Sequence, residues 1–326
     1  MPNAVPLVRV VRSGVTESIH LGHVAVCDAS GRLLALAGDP ERLLFSRSSM
    51  KPLQAAVALR RIGAPLPREL VAVMCASHNG EPVHVRIVRR LLRSGGLSER
   101  LLGCPPDLPM APHARREVAG PRRVYHNCSG KHAGMLLACE GSGLDLGTYL
   151  RPSHPLQREV VRAVRSATDA ERPLIGVDGC GAPVHGVPLR GMATLFARLC
   201  EPEGLGRLTE HAATAVAAMR AEPYLVAGRG RSDTLIMQAL PGVVCKVGAE
   251  GLHCAGVLGL GIGVAVRIDD GSDRAAAPAL VKVLDLLGIL EGPQRERLAP
   301  VAAPPVLGGG RPVGALEARF RLRRPR

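Results

Sequence analysis

Ser48 and Lys51 stand three residues apart in Phe45-Ser46-Arg47-Ser48-Ser49-Met50-Lys51-Pro52-Leu53, where a polar Ser/Arg segment gives way to an apolar periodic run through Leu59. On a helix, positions three apart lie on one face, so the Ser48 hydroxyl and the Lys51 amine can meet. A serine hydroxyl is a poor nucleophile at neutral pH. A lysine kept uncharged by burial or by a neighbouring cation can take its proton. The chemistry open to such a pair is attack on an acyl carbon, although the spacing alone is a weak signal.

Composition singles out the lysine. The chain has only four lysines, Lys51, Lys131, Lys246 and Lys282, against 38 arginines. Arginine stays charged in a protein, whereas lysine can act as a neutral base or a ligand. Three of the four fall in polar stretches with Gly, Ser or Cys, and only Lys282 reads as an ordinary helix residue.

Cys128, Lys131, His132 and Cys180 are soft or borderline ligands on loops at helix or strand ends. One cysteine at each place is far from a Cys-x-x-Cys pair, and a buried structural thiol is the ordinary role of each. Asp178 suits a substrate amine contact or an orienting carboxylate, and otherwise caps the turn at Gly179. In Ser77-His78-Asn79-Gly80, adjacent residues cannot easily face each other as nucleophile and base. Ser77 with distant Lys246 is a second Ser–Lys pair that chemistry allows and spacing cannot show. Cys128-Ser129-Gly130-Lys131 fails as a phosphate loop, because Tyr125 stands where a glycine is needed and His132 follows the lysine. Gly259-x-Gly261-x-Gly263 precedes a strand rather than a helix, so glycine packing in a sheet explains it better than dinucleotide binding.

Around these groups, residues 5 to 37 alternate, with Asp28-Ala29-Ser30-Gly31 as a hairpin signal. A helix starts at Ser48, and a short one over 67–75 breaks at Ala76–Gly80. Glu81-Pro82 opens another to about Ser94, and residues 95 to 124 are loop-like. Helices are expected from Ala133 to about Cys139, over about 155–168, and near 188–200 and 205–220. Strands at 242–247, 251–257 and 261–268 precede a helix at 274–288. A last amphiphilic segment follows Gly308-Gly309-Gly310. Strands at both ends and helices between them predict an α/β (α+β) chain, with a sheet built from both termini, a helical lobe and a cleft. One domain over 1–326 is expected: a sheet lobe at about 1–45 and 240–317, a mostly helical lobe at about 46–239, and a basic tail at 318–326.

Aromatics make up only 2% of the chain, so Leu, Val and Ala must build the core. The formal charge of +14 raises nucleic acid as a partner. The arginines are scattered, however, and almost no aromatics can stack bases. A solvated basic tail at Arg319–Arg326 and no specific nucleic acid are the better reading. Nine dispersed cysteines, no signal core and no long apolar run point to a cytoplasmic chain with reduced thiols and no membrane span.

Taken together, Arg47-Ser48-Ser49-Met50-Lys51, Ala76-Ser77-His78-Asn79-Gly80-Glu81, His126–Met135 and Gly176–Pro183 resemble the Rhizobium etli-type L-asparaginases, the asparaginase II or class 3 family. The blocks occur in order and span about residues 6 to 317. The resemblance implies a fold similar to serine β-lactamases and glutaminases, with an antiparallel sheet flanked by helices. It also implies a homodimer and hydrolysis of L-asparagine to L-aspartate and ammonia. Carried over by motif, the catalytic pairs are Ser48 with Lys51 and Ser77 with Lys246. Arg47, Asp178, His132 and Asn79 then face the substrate, and Cys128, Lys131 and Cys180 bind zinc. One rival is a β-lactam-reactive acyl-serine hydrolase, which shares Ser-x-x-Lys; Arg231-Ser232-Asp233-Thr234 approaches its Ser-Asp-Asn element without matching, and Lys-Thr-Gly is missing. The non-enzyme rival is a basic nucleic-acid-binding protein.

Overall fold

The computed structural model describes residues 3–325. Its strands in chain order are β1 (Val5–Arg12), β2 (Val15–Asp28), β3 (Leu33–Ala37), β4 (Leu43–Phe45), β5 (Leu174–Val177), β6 (Pro183–Pro188), β7 (Val243–Val247), β8 (Leu252–Val257), β9 (Ile262–Ile268), β10 (Pro305–Gly308) and β11 (Arg311–Ala318). The helices are α1 (Lys51–Ile62), α2 (Arg68–Met74), α3 (Pro82–Arg93), α4 (Pro112–Arg115), α5 (Ser129–Glu140), α6 (Pro155–Thr168), α7 (Leu189–Cys200), α8 (Thr209–Ala221), α9 (Pro223–Val226), α10 (Ser232–Ala239), α11 (Asp273–Leu286) and α12 (Gly292–Ala302). The chain divides into two compact units. The first holds residues up to Ser49, Val187–Glu201 and Leu235 onward; the second holds Met50–Gly186 and Pro202–Thr234.

The first unit is an antiparallel sheet in the order β10-β11-β1-β2-β9-β8-β7, with β3 also paired to β2. Both chain ends thus supply neighbouring strands. The expected turn after β2 forms, and the Asp28 carboxylate accepts from the Ser30 and Arg32 backbone amides at 3.0 and 3.1 Å. Four consecutive residues of β9, Gly263–Val266, are buried. Alternate strand side chains point to opposite faces, so both faces are covered there, with α7 and α11 packing on this strand. The core is aliphatic, and Phe196 on α7 is its one large aromatic among the described residues.

Helix α7 belongs with this sheet although it lies mid-sequence among the helices. Gly263 explains the close fit: a Cβ there would lie 1.9 Å from the Ala193 carbonyl oxygen and 2.4 Å from the Ala197 amide nitrogen. The glycine spacing in this stretch is therefore a packing device. The basic tail, expected to be solvated, is instead tied down in part: Arg323 and Leu36 exchange two backbone hydrogen bonds of 2.9 Å, and the Arg319 amide donates to the Leu7 carbonyl. Unpaired backbone groups at a strand edge favour such a partner. Arg326 lies outside the described residues. Helix α12 and the β10–β11 hairpin were not legible from periodicity, since each carries proline or glycine that breaks its pattern.

The second unit is mostly helical. Helix α1 is its central element, packed against α5, α6 and α8, and its residues Lys51–Leu59 are all buried. A helix hydrophobic nearly all round must sit inside a bundle. It ends at Gly63, whose φ of 66° is the left-handed cap that glycine adopts without strain. Strands β5 and β6 form a hairpin, Leu174 opposite Gly186 and Val177 opposite Pro183. No described helix is long and apolar enough to cross a membrane.

Gly263→Ala should lower stability by about 1–3 kcal/mol, because the added methyl has to push α7 off the sheet. Thermal unfolding checks this, and an unchanged midpoint would show that the helix shifts freely.

Candidate active site

Lys51 is the first residue of α1, and its amine is buried. Nζ donates to the Ala76 carbonyl at 2.6 Å and to Ser77 Oγ at 2.9 Å. Both partners are neutral oxygens, and no carboxylate pairs with this lysine among the described residues. The expected partner was Ser48. A 3-10 turn over Arg47–Met50 precedes α1, so Ser48 lies ahead of the helix. The amine of Lys51 goes to Ser77, 26 residues away in sequence.

Ser77 is held by the segment in which it lies. Beyond α2, its amide donates to the Val226 carbonyl at 2.9 Å and the Asn79 amide donates to Ala227 at 2.8 Å. The His78 amide donates to Asn127 at 3.2 Å on another side. The Ser129 hydroxyl donates to the Val124 carbonyl at 2.9 Å, so it accepts from His78 Nε2, also at 2.9 Å. His78 Nδ1 accepts from the Gly80 amide at 3.1 Å. These bonds select one neutral tautomer. Burial above all, then the neighbouring His84 and Lys51, hold His78 well below its ordinary value. His84 stacks on it at 5.2 Å and on Tyr224 at 5.7 Å, and burial lowers His84 too.

Behind this loop lies Glu81, also buried. Its carboxylate accepts from Asn79 Nδ2 and from the Arg229 amide, each at 3.1 Å, and from the Tyr224 hydroxyl. Burial works against the charge, but these hydrogen bonds hold the carboxyl below the usual range. Asn79 Nδ2 also donates to the Arg229 carbonyl at 3.1 Å, and Oδ1 accepts from Arg231 NH1 at 3.1 Å. The amide expected to face substrate thus ties together three protein groups. Glu81 and Arg231 fall within the segments quoted above, Ala76–Glu81 and Arg231-Ser232-Asp233-Thr234, but neither was given a role from sequence, and Tyr224 was not singled out.

Helix α5 starts at Ser129, four residues before the expected Ala133, and so carries Lys131 and His132 on its first turn. Gly130 permits this, since a Cβ there would lie 2.1 Å from the Val73 carbonyl oxygen. Lys131 Nζ donates to Cys180 Sγ at 3.0 Å, and the Cys128 thiol donates to Asn127 Oδ1 at 3.1 Å. The Cys180 side chain, helped by Lys51 and Lys131 and opposed by burial, holds the Cys128 thiol well below its ordinary value. The Cys128 side chain, with burial, pushes Cys180 up. Burial opposes the charge on Lys131, yet the two sulfurs hold its pKa above the ordinary value. Two thiols and an amine therefore converge in buried space, and His132 Nε2 and both nitrogens of His185 are buried without partners among the described residues. This donor set fits a zinc ion, which binds thiolate and nitrogen ligands; the amine must lose its proton to coordinate.

His132 Nδ1 lies 2.7 Å from the Tyr149 hydroxyl, which accepts from the Gly103 amide and so donates to the ring. Asp178 Oδ1 accepts from the Gly179 amide at 2.8 Å, and Oδ2 lies 3.9 Å from Cys180 Sγ. It therefore caps the turn and borders the sulfurs.

In the first unit, Arg47 has a φ of 43°, uncommon for a residue with a side chain. Its NH1 is 3.7 Å from Glu250. Half-buried Ser48 follows in the same turn, and the Ser49 hydroxyl fastens that turn to β7 through the Lys246 carbonyl at 2.9 Å. Lys246 is fully buried, and Nζ donates to the Val247 carbonyl at 3.0 Å.

A family model described as L-asparaginase II matches residues 8–318. No curated protein matches the chain. Among solved structures, a β-lactamase from Mycobacterium bovis is similar at 19% identity and a TM-score of 0.40, over 82% of this chain and 95% of that one. A Bacillus subtilis glutaminase, solved as a covalent complex with 5-oxo-L-norleucine, is similar at 15% identity and a TM-score of 0.40, over 82% of this chain and 88% of that one.

The neutral histidines set a pH dependence. With their values depressed in the fold, His78 and His84 take up protons on unfolding once the pH is below about 6.5. Their contribution is complete above that pH and is lost as the pH falls further, at no more than about 1.4 kcal/mol per pH unit for each ring. Urea unfolding at pH 7.5, 6.5 and 5.5 should give a midpoint that drops in the last interval; equal midpoints would contradict the buried neutral rings.

Proposed function

We propose, for a chain that belongs to the L-asparaginase II family, that it hydrolyses L-asparagine to L-aspartate and ammonia, with Ser77 as nucleophile and Lys51 as its base. Membership makes the protein an amidohydrolase. The observation that carries the finer reading is the buried contact of 2.9 Å between Lys51 Nζ and Ser77 Oγ.

In its neutral form Lys51 takes the hydroxyl proton as Ser77 Oγ attacks the side-chain amide carbon. The tetrahedral intermediate collapses, the C–N bond breaks, and Lys51 returns the proton to the departing ammonia. A water that gives its proton to Lys51 then cleaves the ester, releasing aspartate and restoring the serine. Pinned on both sides of Ser77, the backbone holds Oγ ready without reorganisation. Ser48 and Lys246 enter as the second hydroxyl and amine that the family resemblance implies. Cys128, Lys131 and Cys180 would hold a zinc ion, which supplies a fixed positive charge when bound. His132 and Asp178, beside those residues, orient the substrate in this reading.

Ammonia release tests it. Ser77→Ala and Lys51→Met should each lower kcat/KM for L-asparagine by at least about 10²–10⁴-fold. Full activity in Ser77→Ala would sink the assignment of the nucleophile, and Ser48→Ala and Lys246→Met measure the second pair. Elemental analysis of protein purified without chelator should find about one zinc per chain. Less than about a tenth of an equivalent, with Cys180→Ala fully active, would remove the metal from the reading.

A further inference from the structure

Arginine is the commonest charged residue here, and most surface guanidinium groups are of no special note. Arg231 is set apart by what its NH1 holds. It is half-buried and makes no ion pair among the described residues. Its NH1 donates to Asn79 Oδ1 at 3.1 Å and reaches the Ser77 carbonyl at 3.4 Å, with Met110 Sδ at 3.8 Å. The guanidinium is therefore fixed on the backbone of the residue that carries the reacting hydroxyl. Nε and NH2 have no hydrogen-bond partner among the described residues. Those two groups form one edge of the guanidinium fork, which is the edge that takes a carboxylate in two parallel hydrogen bonds.

The fold builds a brace for this one side chain. An asparagine amide can be turned either way, and here the choice is made by Glu81. The buried carboxylate accepts from Nδ2 and so turns Oδ1 towards Arg231. The Arg229 amide donates to the same carboxylate, and the Arg229 carbonyl accepts from Nδ2, which fixes the chain two residues before Arg231. Gly228 leaves the room: with a φ of 116°, a Cβ there would come within 2.6 Å of Asn79 Nδ2 and 2.7 Å of Glu81 Oε1. A buried carboxylate costs stability unless it is fully hydrogen-bonded. Its function in this place is to hold an amide that holds a guanidinium, and the guanidinium still has an open edge.

We propose that Arg231 binds the α-carboxylate of the amide substrate, and so selects free amino-acid amides over amides without that carboxylate. This rests on the reading of Ser77 as the nucleophile. The size of the substrate agrees, because in L-asparagine the α-carboxylate carbon is three bonds, at most about 4 Å, from the amide carbon that Ser77 attacks. An anchor whose NH1 reaches the carbonyl of the nucleophile itself suits so short a molecule.

The test compares L-asparagine with 3-aminopropanamide, which lacks only the carboxylate, in wild type, Arg231→Gln and Arg231→Lys. Arg231→Gln should raise KM for L-asparagine by about 30–100-fold with a much smaller change in kcat, as a lost charged hydrogen-bonding pair predicts. The ratio of kcat/KM for L-asparagine over 3-aminopropanamide should fall by a similar factor, and Arg231→Lys should recover part of it. An equal loss on both amides would make Arg231 merely structural and overturn the proposal. Calorimetric titration with L-aspartate gives a readout independent of turnover: wild type should bind it and Arg231→Gln should bind it at least about tenfold more weakly. Equal binding overturns the proposal. If wild type cleaves neither amide, the Ser77 reading fails, and the L-aspartate titration decides Arg231 by itself.

Discussion

A lysine amine sealed away from water at the first residue of a central helix needs polar partners, and Lys51 finds two neutral oxygens, those of Ala76 and Ser77. Much of the second unit serves to keep that meeting in register. Helix α1 must be buried along most of its length to fix the base of the side chain, and α2 must end where it does to deliver Ser77. The segment after α9 then clamps the serine backbone through Val226 and Ala227. An amine left unpaired in this interior would cost several kcal/mol, so the contact and the packing around it stand or fall together.

Charge is managed around that contact by keeping most neighbours neutral. His78, His84, His132 and His185 are all pushed below their ordinary values, His185 to about 4, with burial the largest cause in each. The exception is sulfur. Cys128 is the buried thiol held below its ordinary value, by the Cys180 side chain first and then by the charges of Lys51 and Lys131. In Cys104, at about 12, and Cys27, at about 11, burial is the largest cause and outweighs the cations nearby.

How much of this could be read from residues alone depended on the distance over which each signal acts. Alternation at both chain ends, and the turn at Asp28, report the sheet because strand burial has a local period. The scarcity of lysine drew attention to Lys51, Lys131 and Lys246, and all three are buried. The partner of Lys51 was not legible, since a contact over 26 residues leaves no trace in spacing. The start of α5 was missed for a different reason. Cys-Ser-Gly-Lys has weak helix propensity, and only the need to clear the Val73 carbonyl makes a glycine the right residue there. Arg231 was hidden by composition, as one guanidinium among 38 carries no signal of its own.

The chain passes between its two compact units at four places, 49/50, 186/187, 201/202 and 234/235. Neither unit is a continuous stretch, so no truncation can excise one of them and no simple fusion can swap one for a cousin. Two of the crossings fall in segments described above: the first lies between Ser48 and Lys51, and the last comes just after Arg231-Ser232-Asp233-Thr234. Recombination at either seam would divide those segments as well as the architecture. A protein laid out in this way is inherited whole, and its variation has to come by single substitutions and loop changes within the segments rather than by exchange of modules.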